Sequence, residues 1–287
     1  SHAIVDREQR VIGYMLGAPQ GDPTWKDVAP AANAAMEEEE RVCKFPTSHP
    51  KNARGDYPVL STGFSYGGGP ITPFNVPLNN KTHKAALGRL TEHWAFGRLS
   101  GHTNAGVSSA GPRMYHHLDE VLNDIRLDDP TLQKPFNNSI FPAATWNFGP
   151  YAATVPHRDS RNVPYGWCAV TALGDFNYKL GGHLVLWDLK LVIEFPPGST
   201  ILLPSAVLTH SNTSIQPGET RRSFTQHCSG SLVRWWTYGF RTQALMEAED
   251  RVLAERLRGE AAGRWKEKLG LFSKWTELMK DMRSINS

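Results

Sequence analysis

The chain has 287 residues, of which 40% are hydrophobic and 21% are charged. This size and apolar content allow a large buried core, and the 20 Pro and 25 Gly suit a loop-rich β protein better than a helical bundle. The formal net charge of +3 at pH 7 permits nucleic-acid binding without indicating it, because strong binders carry a denser basic patch.

The cysteines and the apolar runs narrow the class of protein further. Cys43, Cys168 and Cys228 form no C-x-x-C pair, which excludes a disulfide framework and a cysteine-rich zinc cluster and favours a reducing compartment. No apolar run has the length of a membrane span, so we expect no membrane segment.

The N-terminal part shows little organisation up to residue 60. A helix is predicted over residues 31–44, where the run of four Glu at 37–40 indicates a solvated acidic face. Proline then favours an extended or looped chain at Pro46, Pro50 and Pro58.

Glycine-rich segments and two helices follow. The loop Gly67-Gly68-Gly69 is either a tight surface turn or a backbone that approaches a polyanion or substrate closely, and it lacks the Gly-Lys-Ser/Thr of a P-loop. Apolar residues at helical spacing predict helices over residues 81–99 and 117–126. Between them, the Gly- and Ser-rich residues 102–114 predict a mobile loop.

From residue 139 to residue 241 the apolar pattern changes to short strands separated by Gly and Pro turns. Many short strands with regular turn signals predict a sandwich, jelly roll or barrel. After residue 242 the pattern is helical again, and we expect those helices to pack outside the β core. The predicted strands cover residues 140–148, 152–157, 167–173, 183–188, 191–195, 200–203, 207–211, 222–228 and 232–240.

Three side chains in this β region have the composition of a mononuclear iron site. His157 and Asp159 are two residues apart, so on a strand end both side chains point to the same face. His210 lies on a later predicted strand and can complete the set. Two imidazoles and one carboxylate that leave coordination positions open are typical of non-haem Fe(II) oxygenases.

Two arginines after His210 are candidates for binding the co-substrate of such a site. The far carboxylate of 2-oxoglutarate needs a bidentate cation, which Arg supplies better than Lys. On a strand Arg221 and Ser223 share one face, whereas Arg222 lies on the other. We therefore assign the anchor to Arg221 with the Ser223 hydroxyl and expect Arg222 to be an exposed charge.

Two other classes of enzyme are excluded by the same residues. His157-Arg158-Asp159 is also found in kinase catalytic loops, but no nucleotide-binding glycine loop precedes it and no Asp-Phe-Gly follows. A zinc hydrolase also uses His and carboxylate ligands, but it does not explain the Arg-x-Ser that follows His210.

Several motifs together resemble the fungal branch of the TET/JBP dioxygenases. The resemblance spans roughly residues 140–241, with Gly67-Gly68-Gly69 as weaker support, and the cysteine-rich zinc region of the animal proteins is absent from the sequence. The motifs are Asn147-Phe148-Gly149-Pro150, His157-Arg158-Asp159, Gly166-Trp167-Cys168, 182–188, 194–200, His210-Ser211-Asn212-Thr213 and 221–226.

This resemblance implies an α+β protein with a double-stranded β-helix (jelly-roll, cupin-like) core and flanking N- and C-terminal helices. We expect one catalytic domain over residues 1–287, with a helical and loop part at 1–135, the core at 136–241 and C-terminal helices at 242–287. The resemblance further implies Fe(II), 2-oxoglutarate and O2 as cofactors, double-stranded DNA with methylated bases as partner, a nuclear location and a monomer.

The family also implies roles for individual residues. Asn147 is expected at the 2-oxoglutarate site, and Asn162 at the position that contacts a flipped cytosine in similar proteins. His227 matches a base-contacting His of the family but lies about two residues closer to the Arg. We expect the DNA backbone to be held by Arg158, Arg161, Gly67, Gly68, Gly69 and the predicted loop at 102–113.

The implied reaction is oxidation of 5-methylcytosine to the hydroxymethyl, formyl and carboxyl bases. N6-methyladenine is the second candidate, because hydroxylation of an N-methyl group releases formaldehyde and so demethylates the base. Two rival hypotheses stay open: a 2-oxoglutarate oxygenase that acts on a protein or small molecule, and a DNA-binding protein without catalysis.

Overall fold

Two antiparallel sheets face each other at the centre of the protein. The computed structural model describes residues 1–45 and 54–285, and its larger sheet has eight strands in the order β1-β2-β9-β6-β11-β5-β3-β4. The smaller sheet has the order β10-β7-β8. The strands are β1 (His2–Val5), β2 (Val11–Leu16), β3 (Val59–Ser65), β4 (Phe74–Asn75), β5 (Ala143–Asn147), β6 (Cys168–Asp175), β7 (Leu184–Leu186), β8 (Leu191–Ile193), β9 (Thr200–Leu203), β10 (His210–Asn212) and β11 (Thr220–His227).

The predicted strand at 152–157 joins the smaller sheet without forming a regular strand. The backbone N–H groups of His157 and His210 each donate to the other residue's carbonyl, at 3.1 and 3.0 Å, and Asn212 donates to the Thr154 carbonyl at 3.0 Å. This segment therefore lies beside β10 as a fourth member. The two sheets enclose an apolar layer, and together they confirm the predicted double-stranded β-helix.

Nine α-helices are found in the described part of the chain. They are α1 (Val28–Cys43), α2 (Lys81–Glu92), α3 (Trp94–Ala110), α4 (Pro112–Asp128), α5 (Gly230–Thr237), α6 (Gln243–Glu249), α7 (Arg251–Glu260), α8 (Arg264–Leu269) and α9 (Leu278–Ile285). Within residues 1–45 and 54–285, none of them is both long and apolar enough to cross a membrane.

Helices α1 to α3 cover the outer face of the larger sheet. Alternation along β11 points Phe224 outward, where its ring centroid lies 5.1 Å from those of Phe96 on α3 and Trp146 on β5. All three rings are buried. The outer face of β11 thus packs against helices, and its opposite face points to the interior of the β-helix.

The prediction for residues 81–114 is wrong in two respects. A single helix over 81–99 is interrupted at His93, whose Nδ1 accepts a hydrogen bond from the Ala95 N–H at 3.3 Å and caps α3. The expected mobile loop at 102–114, which includes the DNA-contacting loop proposed at 102–113, is mostly the packed helix α3. A Cβ added at Gly106 would lie 2.4 Å from Leu16 Cδ2, so the small residues there allow close packing against β2.

The predicted strand at 232–240 is also wrong, because this segment forms α5. Ser229 caps the helix, and its Oγ accepts a hydrogen bond from the Ser231 N–H at 3.3 Å. Leu232, Val233 and Trp235 then lie on the buried side. A short apolar run is ambiguous between strand and buried helix, and the serine cap decides between the two here.

The N-terminal part is more ordered than its sequence indicates. β2 pairs with β9, and β3 pairs with β5, so both strands extend the larger sheet. Pro58 precedes β3, and its carbonyl accepts a hydrogen bond from the Phe148 N–H at 2.9 Å. The predicted extended run at Pro46 and Pro50 lies outside the described residues.

The acidic run on α1 is not a solvated face, and Arg222 is not an exposed charge. Arg222 is 4% exposed and points from the outer face of β11 toward α1. Its guanidinium donates to Glu37 at 3.0 Å and to Glu40 at 2.7 Å. Glu39 is buried and is bound by Arg89 at 2.7 Å. The guanidinium of Arg222 is therefore already paired with carboxylates of α1.

Candidate active site

His157, Asp159 and His210 meet at one end of the β-helix. Donor atoms from the three side chains all lie within 4.8 Å of one another. His157 Nε2 is 3.7 Å from Asp159 Oδ1, and His210 Nε2 is 4.0 Å from Asp159 Oδ2. The backbone pairing of the segment 152–157 with β10 brings the two histidines together, so their closeness follows from the sheet.

The hydrogen bonds of the two imidazoles favour metal binding. His157 Nδ1 lies 2.8 Å from the Val155 carbonyl, and His210 Nδ1 lies 2.9 Å from the Leu208 carbonyl. A carbonyl only accepts, so each Nδ1 carries the proton and each Nε2 directs a lone pair at the cluster. Burial lowers the pKa of His210, which also favours the neutral ligand form. This donor set fits Fe(II) with open coordination positions.

Arg54 also contacts the cluster, and sequence reasoning did not identify it. Its Nη2 lies 2.6 Å from Asp159 Oδ1. Arg54 lies close before β3, far from the triad in sequence and outside any recognisable motif, so no local signal marks it. It brings a positive charge to the cleft beside the triad.

Arg221 is a buried guanidinium without an anionic partner among the described residues. It is 1% exposed, its Nη1 donates to the Ala152 carbonyl, and its Nε and Nη2 are buried without a hydrogen-bond partner. Burial lowers the pKa of Arg221 to about 10, and the nearby Tyr57 acts in the opposite direction. A buried charge in this state is costly unless an anion joins it, so the site fits a ligand carboxylate.

Asn147 and Ser223 form part of the polar wall of an inner cavity that adjoins the triad. Asn147 Nδ2 donates to Ser223 Oγ at 2.9 Å and to Thr225 Oγ1 at 3.4 Å. All three line an inner cavity together with the triad residues. The structure therefore places the predicted 2-oxoglutarate contacts on the interior face of β5 and β11.

An outer cleft of about 450 Å³ opens above the triad. Arg158 lies at its rim, where it donates to Thr209 Oγ1 at 2.9 Å and to Asp188 at 3.0 Å. Arg161 is exposed beside the glycine loop, with its Nη1 3.8 Å from the position of a Cβ on Gly68. Gly67, Gly68 and Gly69 have φ angles of 105°, 81° and 128°, which other residues rarely adopt.

The two candidate base contacts differ in position. Asn162 lines the outer cleft, and its Nδ2 donates to Cys168 Sγ at 3.0 Å and to Ser205 Oγ at 3.2 Å. His227 lies on the interior face of β11, partly buried, with its Nε2 3.0 Å from Thr145 Oγ1. Asn162 therefore borders the cleft directly, whereas His227 is not among the described residues that line the cleft or the inner cavity.

His227 gives a testable pH dependence of stability. Burial is the main cause that lowers the pKa of His227 to about 4. The charge of Asp159 acts to raise this pKa, and the charge of Arg54 acts to lower it. Because the folded pKa is below the unfolded value of about 6.5, stability is complete above pH 6.5 and is lost as pH falls toward 4. This group alone contributes up to about 3 kcal/mol.

The measurement is urea unfolding of the metal-free protein between pH 7 and pH 4, in the wild type and in His227→Gln. We expect a shallower loss of unfolding free energy with falling pH in the variant, because it lacks the titrating imidazole. Parallel pH profiles for the two proteins would contradict the assignment of this pKa to His227.

Comparisons with known proteins support the fold. No protein-family model matches the chain, and no curated protein matches it significantly. Among solved structures, NgTET1 in complex with 5mC DNA is 13% identical with a TM-score of 0.55, over 79% of this chain and 76% of that one.

Two further matches have lower TM-scores. A Pseudomonas putida prolyl-4-hydroxylase is 14% identical over 76% of this chain and 91% of that one, with a TM-score of 0.39. An oxidoreductase of the 2OG-Fe(II) oxygenase family from Burkholderia pseudomallei is 16% identical over 75% and 93%, with a TM-score of 0.34. The double-stranded β-helix and the His157, Asp159 and His210 cluster together support Fe(II), 2-oxoglutarate and O2 as cofactors.

Proposed function

We propose that this protein is an Fe(II)- and 2-oxoglutarate-dependent dioxygenase that oxidises the methyl group of 5-methylcytosine in DNA, as a fungal-type member of the TET/JBP dioxygenases. One observation carries the oxygenase part. Arg221, a buried guanidinium without an anionic partner among the described residues, lies on the interior face of the central strand β11, in the same β-helix as a two-His, one-carboxylate cluster. The DNA part is supported by the shared motifs, the basic rim of the cleft and the likeness in fold to NgTET1 in complex with 5mC DNA.

We assign each group to residues of this chain. His157, Asp159 and His210 would hold Fe(II), and Arg221 with Ser223 and Asn147 would hold the far carboxylate of 2-oxoglutarate. With O2, the bound cofactors supply the conversion of a C–H bond to C–OH, coupled to the oxidation of 2-oxoglutarate to succinate and CO2. The walls of the site would exclude water and place the methyl group beside the three ligand residues.

A base in duplex DNA cannot reach this site while it is stacked. His157 and Asp159 line the outer cleft, and Asp159 and His210 are only 8% and 6% exposed. The target nucleotide must therefore be flipped out, at a cost of a few kcal/mol. We assign Asn162 and His227 to contacts with the edge of the flipped base.

The rim of the cleft would hold the DNA backbone. Arg158 and Arg161 lie on the segment that carries the metal ligands, so phosphate contacts there would also fix the depth of the flipped base. The three glycines at 67–69 present backbone rather than side chains to the same edge. A monomer in the nucleus is the setting that we propose for this reaction.

The direct test is whether methylated DNA stimulates succinate formation. We expect a duplex with 5-methylcytosine to raise succinate production at least tenfold over the same duplex without methyl groups, since base binding completes the site. A matched duplex with N6-methyladenine tests the second base.

If neither duplex stimulates turnover while the protein binds 2-oxoglutarate and Fe(II), the DNA proposal is wrong. An oxygenase of a protein or small molecule would then be the better account. If the protein binds methylated DNA but forms no succinate under any condition, the oxygenase proposal itself fails.

A further inference from the structure

A second concave surface lies beside the active-site cleft, between α5 and the helices α7 and α8. It encloses about 360 Å³ and has aromatic walls from Tyr165, Trp236 and Tyr238. Its charged lining is mostly basic, with four cations and two carboxylates, which leaves an excess of two positive charges. The charged residues are Arg234, Arg256, Arg264, Lys268, Glu260 and Glu267.

Two of these cations are not neutralised by the described residues. Arg234 and Arg264 have no carboxylate within 4.0 Å in the described ranges, and each donates instead to a neutral oxygen. Arg234 Nη2 donates to Ser231 Oγ at 2.7 Å, and Arg264 Nη2 donates to the Leu257 carbonyl at 2.6 Å. The two guanidiniums therefore keep their full charge and most of their donors for a ligand.

The groove is continuous with the cleft through one short segment. Arg161 and Asn162 line the cleft, and the next three residues, 163–165, line the groove. The Gly230 N–H donates to the Arg161 carbonyl at 2.9 Å. A Cβ on Gly67 would lie 3.0 Å from Ser231 Oγ, so the start of α5 also touches the glycine loop. A DNA strand that leaves the cleft past Arg161 would meet Arg234 next.

We infer that Arg161, Arg234, Arg264 and Lys268, named here the basic track, bind phosphates of the duplex that flanks the flipped nucleotide. This inference rests on the proposed function. The cleft takes one nucleotide, so most of the affinity for duplex DNA must come from phosphates beyond it. The positive charge of the basic track suits a polyanion, and the track adjoins the cleft in which the flipped nucleotide would bind. Both features favour duplex DNA as the ligand.

The test compares DNA affinity and its salt dependence between wild type and the double variant Arg234→Gln/Arg264→Gln. Each lost phosphate contact lowers the slope of log K against log salt by about 0.9, so we expect a decrease of about 2. At about 0.1 M salt this corresponds to weaker binding by roughly 50-fold. The probes are 5-methylcytosine duplexes of about one and about three helical turns, and the loss should be largest for the longer one.

Two further variants serve as controls. Arg7→Gln/Arg41→Gln removes the same charge from two exposed arginines outside the track, and we expect little change in the salt slope. Arg264 also donates to the end of α7, so Arg234→Gln/Lys268→Gln provides a second track variant if the first loses thermal stability. Affinity for 2-oxoglutarate should be unchanged in all of them.

The outcomes separate this inference from the proposed function. If track variants and control variants have the same DNA affinity and salt slope, the basic track does not bind DNA, whatever the activity of the enzyme. If track variants lose DNA affinity but methylated DNA never stimulates succinate formation, the surface stands and the proposed reaction fails.

Discussion

Replacing His157 with alanine is expected to abolish succinate formation and to remove tight metal binding. His157 supplies one of the three protein donors found in the cluster among the described residues, within 4.8 Å of the other two. Loss of a group that merely orients a metal ligand costs about 10- to 100-fold in affinity, so loss of a ligand should cost more. The metal readout is titration with Mn(II) under anaerobic conditions, which is independent of turnover.

The matched control is His183→Ala. His183 lies next to β7 in the same small sheet, and its Nδ1 contacts Thr213 Oγ1 at 3.2 Å, outside the cluster. We expect this variant to bind metal and to turn over like the wild type. DNA affinity should survive in both variants. Turnover by metal-loaded His157→Ala, or an equal loss of metal in both variants, would refute the triad.

Replacing Arg221 with methionine is expected to weaken 2-oxoglutarate binding by about 30- to 4,000-fold. Removing one partner of a buried charge pair costs about 2–5 kcal/mol, and each 1.4 kcal/mol is tenfold in affinity. Without 2-oxoglutarate, the variant should be at least as stable as the wild type, because it lacks a buried charge that has no anionic partner in residues 1–45 and 54–285. Isothermal titration and urea unfolding measure the two effects.

Arg222→Lys is the control for this experiment. Arg222 lies on the opposite face of β11 and is held by Glu37 and Glu40, so its replacement should lower stability while 2-oxoglutarate affinity stays within a few-fold of wild type. The opposite pattern, with affinity lost in Arg222→Lys and kept in Arg221→Met, would move the anchor to Arg222 and overturn the assignment.

The features of the site that could be predicted from sequence depend on the local geometry of the chain. A strand alternates its side chains, so Arg221, Ser223 and His227 had to share a face once β11 was recognised. The structure confirms this alternation, because Arg222 meets α1 while Arg221 is buried on the other side. His157 and Asp159 also meet, with Nε2 3.7 Å from Oδ1, although Asp159 lies beyond the segment that pairs with β10 and neither residue is on a regular strand.

The parts that were missed depend on distant contacts. Arg54 reaches Asp159 from a segment about a hundred residues earlier, and periodicity carries no information on such a pairing. The acidic run on α1 was predicted to face solvent, because the sequence does not show that Arg222 of β11 packs against it. Gly106 lies in a helix because Leu16 packs against it, which overrides the weak helix propensity of a Gly- and Ser-rich segment.

Mass spectrometry of nucleosides tests the central claim most directly. The purified protein is incubated with Fe(II), 2-oxoglutarate and O2 on duplexes that contain 5-methylcytosine or N6-methyladenine, and His157→Ala is the blank. We predict conversion of 5-methylcytosine to 5-hydroxymethylcytosine and then to the formyl and carboxyl bases, with succinate formed in matching amounts. Succinate formation with both methylated bases left intact would contradict the proposal that this enzyme acts on DNA.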